Sequence, residues 1–134
     1  MSLDVNWAAV VVGTIAHQIV GALWYGAIFK NTWIRAMGIN PDEMGGPGAG
    51  AGFAFGAVCS FLSALALAVI MTALDNPDVT QGVVAGLITG IGFVAAATFM
   101  NGFYEQKKPI LSALFGGYYT VGLVAVGAIL GAWY

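Results

Sequence analysis

Charge is what this chain has least of. Ten of its 134 residues are Asp, Glu, Lys or Arg, a share of 7%, against roughly a quarter in ordinary soluble domains. A soluble fold of this length needs a polar shell that ten charged side chains do not supply. The net charge of −2 is small and scattered, which argues against a nucleic-acid partner. With Cys59 as its one cysteine, the chain has no intrachain disulfide. With His17 as its one histidine, a bis-histidine haem would need a second copy, and His17 with Cys59 falls short of a zinc ligand set. Every Asp and Glu lies in a connection or at the end of an apolar run, so the intramembrane carboxylate of a proton- or sodium-coupled transporter is missing. The buried lysine of a retinal Schiff base is missing too. Ser63 and His17 can be drawn as nucleophile and base, but no residue is left as an orienting acid. The expectation is a protein that is not an enzyme, with no catalytic or metal residues and an unspecified cofactor.

Apolar residues, by contrast, make up 60% of the chain, and glycine contributes 20 positions. The charges cluster at Asp4, Lys30 to Glu43, Asp75 to Asp78 and Glu105 to Lys108. Between them lie four apolar runs, 5–29, 50–74, 79–104 and 109–133, each long enough to cross a hydrocarbon core of about 30 Å as a helix. The predicted fold is all-α: a four-helix transmembrane bundle forming one domain over 1–134, with no room for a soluble module. The N-terminal run lacks a basic n-region and exceeds a signal-peptide core in length, so a retained first helix is expected.

Within the first run, Asp4 or Asn6 can cap the helix start, and Trp7 sits where an interfacial aromatic belongs. Gly13, His17 and Gly21 are spaced by four and share a face. In the long connection, Asn31 to Gly38 offers a short interfacial helix with Trp33 and Met37 toward lipid, while a flexible loop is the favoured reading of the connection. Asn40-Pro41-Asp42-Glu43 predicts a turn or helix start, and Gly45-Gly46-Pro47-Gly48 an irregular loop. Asp75-Asn76-Pro77-Asp78 predicts a tight hairpin with Asn76 as cap and Pro77 at the first helical position. Pro109 fits the start of the last helix, and Trp133-Tyr134 its interfacial end. Two glycine ladders, Gly48-Gly52-Gly56 and Gly82-Gly86-Gly90, let helix backbones approach closely. They serve packing inside the bundle, which is the favoured reading, or else a pore or a seam between copies.

All four basic residues fall in the first and third connections. By the positive-inside rule these lie in the cytoplasm and both termini are extracytoplasmic, consistent with a bacterial cytoplasmic membrane.

Two constellations stand out. At the depth of His17, each span offers polar groups: Gln18, then Cys59, Ser60 and Ser63, then Thr89, then Tyr118, Tyr119 and Thr120. An ionisable side chain at that depth is a functional-site hypothesis, and the alternative is a neutral imidazole hydrogen-bonded across helices. The second constellation is a collar of Trp24, Tyr25, Phe29, Lys30, Trp33 and Arg35 facing Asn101, Phe103, Tyr104, Glu105, Lys107 and Lys108. Such residues anchor to headgroups or form a docking site for anionic lipid or protein.

Asn6, the segment Gly21-Ala22-Leu23-Trp24-Tyr25-Gly26 with Phe29, Trp33 and Gly38, and Asn101-Gly102-Phe103-Tyr104-Glu105 followed by Gly127, Leu130, Gly131 and Trp133 resemble the pattern of the domain of unknown function 1761 family. The resemblance covers nearly the whole chain. It implies a small bacterial four-span membrane protein with no known activity, and it carries over no role for His17.

Two functional expectations follow. One is binding or passage of a small or lipophilic molecule through the midplane polar layer. The other is an accessory or structural subunit, homo-oligomeric or packed in a larger membrane complex through its glycine faces and collar.

Overall fold

In lipid every backbone N–H and C=O must be paired within its own segment, so long apolar runs become helices. A computed structural model describes residues 1–40, 42 and 49–133 of the chain. Pro41 and Glu43 of the expected turn, the Gly45–Gly48 stretch with the first rung of its ladder, and Tyr134 lie outside the described residues. The elements are α1 (Trp7–Leu23), continued by a π-helical turn (Trp24–Ile28), then α2 (Lys30–Met37) and α3 (Ala49–Met71). After them come α4 (Val79–Thr89), a π-helical stretch (Gly90–Ala95), α5 (Ala96–Tyr104) and α6 (Pro109–Ala132). Four continuous helices are long and apolar enough to span: Trp7–Ile28, Ala49–Met71, Val79–Tyr104 and Pro109–Ala132. They match the predicted runs; the largest departure is the second, which ends at Met71 rather than 74.

Asn6, of the two candidate caps, starts α1: its Oδ1 accepts the Ala9 N–H at 3.1 Å. Its Nδ2 donates to the Trp133 carbonyl at 2.7 Å, and the Ser2 N–H donates to Thr72 Oγ1 at 2.8 Å. The two chain ends therefore meet at one end of the bundle.

The second hairpin corrects the expected cap. Asn76 takes φ 49° in the turn, a left-handed conformation that asparagine tolerates better than most residues. Asp78 caps α4 instead, its Oδ1 accepting the Gln81 N–H at 2.9 Å; Pro77 lies before the helix. Asp78 satisfies an orphan donor and also places negative charge at the helix start. Pro109 opens α6 as expected.

The short helix of the long connection is present as α2 and ends on Gly38 at φ 70°. The expected lipid-facing Trp33 is corrected. Its ring packs edge-on to Tyr25, centroids 5.7 Å apart, and with Met37 it lines a cavity. An aromatic partner in reach holds it half-buried.

The central helix is α6, which touches all the others. Small residues decide how closely each approaches. A β-carbon on Gly82 would collide with the Gly127 carbonyl, and one on Gly86 with Leu123. The Gly82-Gly86-Gly90 ladder therefore packs inside the chain, α4 on α6, as van der Waals contact between backbones. On α3, Gly52 meets nothing within 4 Å, and Gly56 would meet only Gln18 Oε1 at 3.7 Å. Toward the termini the interior is apolar: Ala9, Val10, Leu67, Met71, Val126 and Leu130.

Candidate functional site

That apolar core stops at His17. The face formed by Gly13, His17 and Gly21 turns inward as its spacing implies, and the imidazole is fully buried. Space for the ring comes from α6, where a β-carbon on Gly122 would lie 2.6 Å from His17 Cδ2. Ser60 Oγ from α3 lies 3.0 Å from Nδ1, and the Tyr118 hydroxyl from α6 lies 3.2 Å from the same nitrogen. Ser60 also reaches Gln18 Oε1 at 3.1 Å, and Gln18 Nε2 donates to the Phe53 carbonyl at 3.4 Å. Ser60 has one proton and two acceptors in range. When it donates to Gln18, Tyr118 can supply Nδ1; rotating hydroxyls repartners the cluster without moving a heavy atom.

A second pair lies beside it. Ser63 Oγ and the Tyr119 hydroxyl are 2.6 Å apart, and the Tyr119 ring meets the imidazole edge-on at 4.5 Å between centroids. Of the predicted layer, His17, Gln18, Ser60, Ser63, Tyr118 and Tyr119 are thus brought together. Thr120 is not, and Thr89 stands along one cleft with Ser63 and Tyr119 without bonding to either. The Thr89 hydroxyl donates back to the Ala85 carbonyl of its own helix at 2.8 Å. Thr120 faces Gly90, and its Oγ1, like His17 Nε2 and Trp24 Nε1, is buried with no hydrogen-bond partner among the described residues.

Two clefts flank the cluster. One, about 310 Å³ between α1 and α3, is lined by Gln18, Gly21, Gly52, Phe53, Gly56 and Tyr118, with Ala22 and Tyr25. The other, about 210 Å³, is apolar apart from Ser63, Tyr119 and Thr89.

The collar divides as well. Tyr25, Trp33 and Asn101 line a cavity of about 530 Å³ with Thr98, Lys107, Ser112 and Phe115. The π-helical turn after α1 carries both Trp24 and Tyr25. Trp24 packs on Phe29 at 4.7 Å, while Tyr25 meets Trp33 and Tyr118 at 5.7 Å each. Aromatic contacts therefore run from Trp33 through Tyr25 and Tyr118 to His17. Arg35, Tyr104 and Glu105 stand outside the cavity. Arg35 Nε donates to the Asn31 carbonyl of its own helix at 3.3 Å, and Tyr104 is exposed. Glu105 pairs with Lys107 at 3.0 Å; the Lys107 hydrogen bond and charge hold its carboxyl below the usual range.

Two residues escaped sequence reasoning. Gly122 is four residues after Tyr118 and so shares its face of α6, a spacing that pointed to it. Ser112 stands in the first turn of a Pro-started helix, and nothing in the sequence marked it.

Three apolar spans packed on a fourth, α6, around a buried imidazole define a multi-pass membrane protein. The family model described as protein of unknown function DUF1761 matches residues 8–131, so the chain belongs to that family. No curated protein and no solved structure matches it.

Proposed function

We propose that the protein is non-enzymatic and binds a small lipophilic molecule with a polar end, holding it or letting it cross the bilayer by the midplane layer around His17. One observation carries this reading. Gln18 and Tyr118 line the α1–α3 cleft and also bond into the buried His17 and Ser60 pair. A ligand's polar end at those two groups would be one hydrogen bond from the imidazole, and its apolar part would lie along Phe53 and the bare Gly52 and Gly56. Polar groups at this depth are costly to keep in hydrocarbon, which favours a use for them.

A second reading has its own support. Among the described residues, nothing packs on Gly50 and Gly52 of α3, which favours a helix from another copy or another subunit on that side. In the same reading the four basic residues face the cytoplasm and both termini face outward.

Native mass spectrometry of protein drawn gently from its own membranes tests both. A co-purifying small mass, lost in Gly52→Leu and in Gln18→Leu, supports the cleft. A bare protein in every form sinks it. A second polypeptide, or a second copy, in place of the small mass moves the subunit reading forward.

A further inference from the structure

The cavity of about 530 Å³ lies at the end of the bundle away from the termini, between α2, α5 and α6, and the α1–α3 cleft reading assigns it no occupant. Its apolar walls are Tyr25, Trp33 and Phe115, and its polar groups include Asn101, Lys107 and Ser112. A second cavity of about 390 Å³ lies outside it, beside Phe99 and Phe103, and Lys107 and Ser112 line both. The chain reaches this arrangement by a strained turn. Helix α5 closes with the Lys107 N–H donating to the Gly102 carbonyl at 2.8 Å and the Gln106 N–H to the Phe103 carbonyl at 3.2 Å. That double closure needs a left-handed residue, normally glycine, yet Gln106 occupies it at φ 59°. The turn brings Lys107 back beneath the last turn of α5, where its β-carbon approaches Gly102. Gly102 has no side chain to displace the Ser112 hydroxyl, with which a β-carbon would collide.

We propose that this double cavity seats the headgroup of an anionic phospholipid, its phosphate oxygens taken by Lys107, Asn101 and Ser112. Lys107 and Asn101 both reach the Glu105 carboxylate, Lys107 at 3.0 Å, and Ser112 Oγ donates to the Thr98 carbonyl at 3.5 Å. An exposed ion pair and a bond at the limit of hydrogen-bond distance are weak, so a phosphate that enters replaces these contacts at small cost. Trp33 and Tyr25 are the amphipathic rings that suit headgroup depth. A lipid, unlike a soluble anion, brings acyl chains, and Phe99 and Phe103, 44% and 79% exposed, lie at the outer mouth to meet them. The site shares the Tyr25 ring with the α1–α3 cleft, but none of the three groups that take the phosphate lines that cleft.

The test is native mass spectrometry of the detergent-purified protein titrated with phosphatidylglycerol or phosphatidylcholine. The anionic lipid is expected to bind more tightly by about fivefold, the weight of one lysine near an anionic surface. Lys107→Gln should bring the two lipids level, while Lys108→Gln, equal in charge change but outside both cavities, should leave the preference intact. Ser112→Ala should narrow it with Lys107 still present. Equal binding of both lipids by the unaltered protein, or an equal loss in the two lysine variants, overturns the pocket. Displacement of phosphatidylglycerol by inorganic phosphate alone overturns the choice of a lipid over a free anion. Gln18→Leu should not affect the lipid preference, so failure of the cleft reading and failure of this one give different spectra.

Discussion

The imidazole of His17 lies on the bare backbone of Gly122: a β-carbon there would stand 2.6 Å from Cδ2 and 2.8 Å from Nε2. The layer's most polar side chain is thus housed by the absence of one on the facing helix. Gly122→Ala should destabilise the bundle by about 1–3 kcal/mol, the usual cost of overpacking. Unfolding in mixed micelles measures it. Adding His17→Ala should recover part of the loss, because it removes the collision; strict additivity would contradict the contact.

The seam between α4 and α6 should be less forgiving. Gly82 and Gly127 meet backbone to backbone, so no side-chain rotation can relieve an added methyl. Gly82→Ala is expected to cost about 3 kcal/mol, at the top of the overpacking range. Gly52→Ala, with open space around it, should stay within about 0.5 kcal/mol of the parent. The same unfolding assay ranks the two.

The hydroxyl pair of Ser63 and Tyr119 is short and crosses helices. A double-mutant cycle with Ser63→Ala and Tyr119→Phe should give a coupling of about 0.6–1.7 kcal/mol, the span found for interhelical bonds in membranes. Thr120→Val should go the other way and stabilise by up to about 1 kcal/mol, since a buried unpaired hydroxyl is removed. A destabilised Thr120→Val would reveal a partner for that hydroxyl.

Gln106 holds φ 59° at the end of α5. Gln106→Gly should raise stability by about 1 kcal/mol, because a side chain in the left-handed region costs roughly that much. No change in the unfolding midpoint would mean that the turn relaxes elsewhere in the membrane.

What the sequence made legible follows from period and composition. Apolar runs marked the spans, and the four-residue spacing of Gly13, His17 and Gly21 marked a face that does turn inward. The Gly82-Gly86-Gly90 ladder was visible for the same reason, though its partner was not, because pairing between helices leaves no local trace. The depth of the polar layer could be counted along each span. Rotation could not, and rotation turns Thr120 toward Gly90 and away from the His17 cluster. The π-helical turn that carries Tyr25 has a register that composition does not encode, and so the contact of Tyr25 with Trp33 along one cavity wall left no trace in the sequence. At the second hairpin the sequence pointed to Asn76 as the cap, and backbone geometry gives that role to Asp78, two residues later.

The partners of His17 also impose an order on synthesis. Ser60 lies 43 residues after the histidine and Tyr118 lies 101 after it, while the Asn6 side chain waits for a carbonyl 127 residues away. Helix α1 is therefore made before α6, and its imidazole waits for a shelter that comes later in the chain. Until α6 packs on it, His17 lacks both the Tyr118 hydroxyl and the bare Gly122 backbone that house it, and a polar side chain at that depth is costly to leave without them.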